Sequence, residues 1–84
     1  MSVFYEEEVM YMDYVDRLTA LREDNDIGQK EIADVLGCKQ STVSKYEKRR
    51  NKYDIEDIIR LCQFYKVSAD YILGLPRGLN YPER

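Results

Sequence analysis

Residues Gln29 to Lys48 read QKEIADVLGCKQSTVSKYEK. Ile32, Ala33 and Leu36 recur at the i, i+1, i+4 spacing that puts side chains on one face of a helix. Gly37 follows at once and acts as a stop, because glycine takes the left-handed backbone conformation that closes a helix at little steric cost. A second short periodicity, Val43 and Tyr46, starts after Cys38 to Gln40, which leaves room for a tight turn only. Two helices of about eight residues joined by a turn of three to four residues containing glycine make a helix-turn-helix unit.

The second of these helices exposes Gln40, Ser41, Ser44 and Lys45, all able to hydrogen-bond to base edges or phosphates. Charge is distributed to match. The chain carries −3 overall, yet Lys39 to Tyr53 hold six cations (Lys39, Lys45, Lys48, Arg49, Arg50 and Lys52) against one carboxylate, Glu47. That is a local balance of +5, while the remainder, with seven cations and fifteen carboxylates, carries −8. A domain polarised in this way attracts phosphate on one face while its acidic remainder limits non-specific adhesion. If about five or six of these groups neutralise phosphates, log affinity falls with log salt at a slope of roughly −5.

Gln29, Ile32-Ala33, Leu36-Gly37 and the run STVSKYE from Ser41 to Glu47 resemble the lambda-repressor-like DNA-binding domain, the Cro, phage-repressor or XRE type. The resemblance continues in Leu61 and in VSADYILG, Val67 to Gly74, and covers Tyr14 to Gly74. It implies an all-α domain of five helices and a bacterial or phage-type transcriptional regulator, a repressor first of all, that binds double-stranded DNA sequence-specifically. The recognition helix, Gln40 to Lys48, would lie in the major groove. By the same resemblance Gln40, Ser41 and Lys45 take the base-reading positions. Gln40 can pair with adenine, Lys45 can reach O6 and N7 of guanine, and Ser41 and Ser44 serve base or backbone. Gln29 matches the family glutamine that contacts a phosphate, and Lys39, Lys48, Arg49, Arg50 and Lys52 are the remaining phosphate candidates. The partner implied is a pseudo-palindromic operator bound by a homodimer, with half-sites about 34 Å apart. Two departures from the family pattern stand out. Gly28 replaces the usual Ser or Thr cap and is a weaker one. Lys48 to Lys52 lacks the family's usual glycine, so the recognition helix is free to run a further turn or to end at Asn51.

Eighty-four residues suffice for one small domain. With 44% apolar and 35% charged residues, four glycines and two prolines, the text favours helices over many short strands. No run approaches the ~20 apolar residues of a membrane span, and MSVFY followed by three glutamates is no signal peptide, so a cytoplasmic protein is expected. Two cysteines make neither a disulfide framework nor a metal set. Cys62, among Ile58, Leu61 and Tyr65, reads as a small buried apolar residue. Cys38 sits in the turn with only Lys39 to activate it. Histidine is absent, which removes the commonest general base and metal ligand. No enzyme, cofactor or metal is expected. RNA binding lacks an aromatic platform interleaved with the cations.

Three segments follow: an acidic extension, 1–12, the domain at 13–75, and a short tail, 76–84. Met10/Tyr11, Tyr14/Val15, Leu18 and Leu21/Arg22 form one stripe, which predicts a first helix ending near Asp24 and starting anywhere from Tyr5 to Asp13. Phe4, Tyr5, Met10 and Tyr11 either pack on the chain's own domain or meet a partner. Asp54 reads as a cap with Asp57 as its capping-box partner, opening a helix whose apolar face is Ile55, Ile58, Ile59, Cys62 and Tyr65, with Leu61 alongside. Ser68 caps a last helix ending at Gly74 and Pro76. Leu75, Leu79 and Tyr81 are dimer candidates or a frayed tail. A rival reading keeps the fold and makes the chain a protein-interaction module, an antitoxin or anti-regulator, that binds a protein through its N- or C-terminal segment.

Overall fold

A computed structural model describes residues 13–75 and shows five α-helices among them, with no strand. They are α1 Tyr14–Asp24, α2 Gln29–Leu36, α3 Gln40–Glu47, α4 Ile55–Tyr65 and α5 Ala69–Leu73. The expectations for Phe4, Tyr5, Met10, Tyr11, Leu79 and Tyr81 fall outside the described residues.

Three helices open on a side-chain cap. Asp13, Asp54 and Ser68 each accept the amide N–H three residues on, from Asp16, Asp57 and Tyr71, satisfying one donor the first turn leaves unpaired. Asp13 therefore closes α1 at the late end of the expected range, with Tyr14 its first helical residue. Gly28 and Lys39 precede α2 and α3 without a side-chain bond. The reciprocal half of the capping box at Asp54 is not what Asp57 makes. Its carboxylate is buried and accepts the Tyr46 hydroxyl instead.

Helix ends are closed by left-handed residues. Gly37 (φ 70°) and Gly74 (φ 71°) do this without strain, but Asp26 (φ 56°), Arg49 (φ 63°) and Lys66 (φ 60°) carry a Cβ in the same conformation. Arg49 closes the recognition helix beside Lys48, as the Gln40 to Lys48 reading has it, without the further turn that the missing glycine left open. Its N–H donates to the Tyr46 carbonyl at 3.1 Å and the Arg50 N–H to the Lys45 carbonyl at 2.9 Å, the paired bonds of a Schellman motif. The helix ends at Glu47, and an arginine stands where the family usually has glycine. At Lys66 the strain is relievable: Lys66→Gly is expected to stabilise the fold by about 1 kcal/mol, measured by urea unfolding, whereas Lys66→Val should destabilise it. An unchanged midpoint for both would show that this turn carries no strain.

Val15, Leu18, Ile32, Ala33, Leu36, Val43, Tyr53, Ile58, Leu61 and Ile72 form the core. The helices pack α2 on α3 and α4, α1 on α3 and α5, and α4 on α5. On α4 the predicted face is too wide. Ile58 and Leu61 are buried, Cys62 is half-buried, and Ile55 and Ile59 are 67% and 50% exposed. α2 and the five-residue α5 supply the main packing against α4 among the described residues, and they cover a narrower stripe than an apolar count suggests.

Candidate nucleic-acid interface

Val43, wholly buried, presses α3 into the core. Residues 40, 41, 44 and 45 then share the opposite side at i, i+1, i+4, i+5 spacing. Gln40, Ser41 and Lys45 are exposed and Ser44 is half-buried. Lys39, at the N-cap of α3, and Lys48, Arg50 and Lys52, beyond its C-terminal end, are exposed as well. None of these five cations pairs with a described carboxylate. α3 thus presents hydrogen-bonding side chains along its outer face, with positive charge at both ends that no described carboxylate meets.

Glu47, the one carboxylate in the basic run, fixes how α3 is presented. Its side chain is only 11% exposed and takes a two-pronged bond from Arg22, Nε at 2.7 Å and Nη2 at 3.0 Å. Arg22 Nη1 donates to the Ile27 carbonyl at 3.0 Å, and Gln29 Nε2 donates to Glu47 Oε1 at 2.9 Å. One carboxylate therefore ties the end of α1 and the start of α2 to the last residue of α3. The hydrogen bonds that Arg22 donates to Glu47 raise the Arg22 pKa above its ordinary value, against the opposing effect of burial. Gln29, expected at a phosphate, is half-buried and uses its amide nitrogen within this network. Sequence reasoning missed the Arg22–Glu47 pair. The available signal was a lone acid inside a cationic run.

A second anchor sits beneath the basic loop. The Tyr46 hydroxyl donates to Asp57 Oδ2 at 3.0 Å, and burial, then this hydrogen bond and the Asp57 charge, push its pKa up to about 12. The Tyr46 ring lies 4.4 Å from that of Tyr53, which also meets Tyr14 edge-on at 6.3 Å. Tyr53 is buried, so the loop from Lys48 to Lys52 is held at its far end by an aromatic cluster.

Arg49 is exposed like its neighbours but engaged, donating to Asp13 at 2.8 Å and to Asp16 at 3.1 Å. Of the expected phosphate-binding cations it alone is paired with described carboxylates. Burial works to raise the Asp13 pKa, but the Asp16 amide and the Arg49 guanidinium outweigh it and hold the carboxyl below its ordinary value of 3.8. A depressed folded pKa means the clamp contributes above that ordinary value and is lost as pH falls through the folded one. Acid unfolding of Asp13→Asn is therefore expected to show a shallower stability loss below pH ~4 than the parent chain. An identical acid limb would remove the clamp from the pH response.

Both thiols are half-buried, and burial raises each pKa, with Asp57 adding to the effect at Cys38, so neither has the character of a reactive thiolate. Among the described residues no group of three His, Cys, Asp or Glu is placed to hold a metal ion, and no helix is long and apolar enough to cross a membrane.

Residues 13–72, most of the chain, match the family described as Helix-turn-helix domain. An uncharacterized HTH-type transcriptional regulator of Bacillus subtilis (strain 168), YobD, is 34% identical over 62 residues, 74% of this chain and 55% of the relative. The HTH-type transcriptional regulator ImmR of the same organism is 34% identical over 58 residues, 69% of this chain and 46% of that protein. The chain spans about half the length of these curated relatives. Among solved structures, a transcriptional regulator from Listeria innocua superposes with a TM-score of 0.72 and 26% identity, over 83% of this chain and 65% of its own. The P22 c2 repressor protein, solved in complex with synthetic operator 9T in the presence of Tl+, shares the fold at a TM-score of 0.65 and 22% identity, over 74% and 94% of the two chains.

Proposed function

We propose that this chain, which belongs to the helix-turn-helix domain family in its lambda-repressor-like form, is a cytoplasmic, DNA-binding transcriptional regulator that represses by occupying its operator. The observation that carries this reading is α3 itself. Gln40, Ser41 and Lys45 stand exposed on it, with Ser44 beside them, flanked by Lys39, Lys48, Arg50 and Lys52, which meet no described carboxylate, and held in orientation by the half-buried Glu47 bridge. Gln40 and Lys45 read base edges, Ser41 and Ser44 read base or backbone, and Lys39, Lys48, Arg50 and Lys52 bind phosphates. Gln29 keeps a phosphate role alongside its bond to Glu47, one Nε2 hydrogen donating to that carboxylate and fixing the amide in place while the second amide hydrogen is directed to a phosphate. Arg49, clamped to Asp13 and Asp16 through Nη2, is the phosphate candidate whose charge is already engaged by described carboxylates.

A single module contacts few bases, so two copies on a pseudo-palindrome with half-sites about 34 Å apart are the expected arrangement. Exposed Tyr71, Leu73 and Leu75 at the end of the fold supply apolar surface for the twofold contact. The deciding experiment is selection of bound sequences from a random duplex library at near-physiological salt. An inverted repeat is expected, and Gln40→Ala and Lys45→Ala should each relax it at particular positions by about 1–3 kcal/mol. Recovery of no motif, with binding that disappears as salt rises, would reduce the face to a non-specific polyanion surface and return the protein-interaction reading to first place.

A further inference from the structure

We propose that the acidic N-terminal segment, through Glu6, Glu7 and Glu8, docks on the basic face of its own chain at Lys45, Lys48, Arg50 and Lys52 and competes there with DNA phosphate. The competition rests on the DNA-binding reading above, while the docking itself does not. The place where the segment meets the folded domain carries the idea. Asp13 is bonded to Arg49 at 2.8 Å, and Arg49 lies two residues past the end of the recognition helix. The segment therefore starts at the rim of the basic face and not across the domain from it.

Reach and charge agree with that placement. Glu8 lies five residues and Glu6 seven residues before Asp13. At ~3.3–3.6 Å per residue these spans reach about 17 and about 24 Å, whereas α3, at ~1.5 Å per residue, is only about 12 Å long. All four cations fall within that radius of Arg49. Residues 1–12 carry three carboxylates and no Lys or Arg. The four cations are exposed and meet no described carboxylate. A cleft lined by Asp13, Tyr14, Val15, Arg49, Asn51 and Lys52 runs from the segment's point of attachment to the basic loop. A tether this short holds its carboxylates at millimolar effective concentration over the face, so contacts too weak to form between separate molecules are populated within one. Exposed ion pairs each contribute a factor of about 1.5 to 5 to an equilibrium, so three together shift it roughly tenfold, and salt screens them.

The test uses the full chain and the variant E6Q/E7Q/E8Q. Without DNA, at about 50 mM salt, the backbone amide NMR signals of residues 45–52 are expected to differ between parent and variant, and to converge at about 0.5 M salt. On a duplex at the lower salt, the variant should bind roughly tenfold more tightly than the parent. The control D24N/E56Q/D70N makes the same change in net charge outside the segment and should gain less than about threefold. Identical amide signals in parent and variant would overturn the docking. A control that gains as much as the variant would overturn the competition, and amide differences that grow with protein concentration would place the segment on a second copy. Amide differences with no duplex binding by any form would uphold the docking and sink the DNA reading separately.

Discussion

Glu47→Ala is expected to cost about 3 kcal/mol and to lower the midpoint of thermal unfolding by roughly 12–24 °C. The substitution strands the Arg22 guanidinium, whose side chain is only 15% exposed, with the Ile27 carbonyl and the distant edge of Glu23 at 3.8 Å as its other partners among the described residues. It also strips Gln29 of its acceptor. A fully buried pair would cost up to about 5 kcal/mol, and partial exposure puts this one at the low end. Urea unfolding should show a lower midpoint with an unchanged slope. The pair Arg22→Met/Glu47→Leu should recover most of the loss, since two apolar side chains of similar volume leave no charge behind. What the double change will not restore is the placement of the Gln29 amide, so its affinity for duplex DNA should stay below that of the parent even where its stability does not. A single Glu47→Ala variant as stable as the parent would show that packing of Val43 alone orients α3.

Lys45→Glu/Arg50→Glu should leave stability within about 0.5 kcal/mol and weaken duplex binding about a thousandfold at near-physiological salt, roughly 4 kcal/mol. Both side chains are exposed and pair with no described carboxylate, so folding loses little. The Arg50 amide that helps close α3 belongs to the backbone and is untouched. Binding loses more, because each reversal removes a favourable contact and puts a carboxylate against phosphate. The salt dependence should also flatten, with the slope moving from roughly −5 toward about −3. Quantitative duplex titration across a salt series reads both effects. Full retention of affinity would assign the basic face to something other than DNA and favour a protein partner.

The helix-turn-helix was legible because every signal in it is local. Ile32, Ala33 and Leu36 share a face by spacing alone, Gly37 stops the helix by its own backbone freedom, and Val43 with Tyr46 restarts the period just after the turn at Cys38 to Gln40. The structure buries Ile32, Ala33, Leu36 and Val43 and gives Gly37 a φ of 70°. The caps at Asp54 and Ser68 were readable for the same reason, since a cap and the amide it accepts lie three residues apart. The width of the α4 face was not. Ile55 and Ile59 have the same apolar character as Ile58, and periodicity shows which residues line up without showing how far a neighbouring helix reaches around them.

By itself, then, the amino-acid sequence determined where the helices lie, which face of α3 turns outward, and where the positive charge collects, because each follows from spacing within a few turns of chain. Tertiary structure alone decided what each polar group in that region does. Glu47 could be a solvated acid on a basic helix until Arg22, 25 residues earlier, and Gln29, 18 residues earlier, converge on it. Arg49 could be one more phosphate ligand until folding brings Asp13 and Asp16 against it. Asp57 could be half of a capping box until the Tyr46 hydroxyl reaches it. A charged or hydroxyl-bearing side chain takes whichever partner the fold delivers, since burying it unpaired costs more than any local preference can repay.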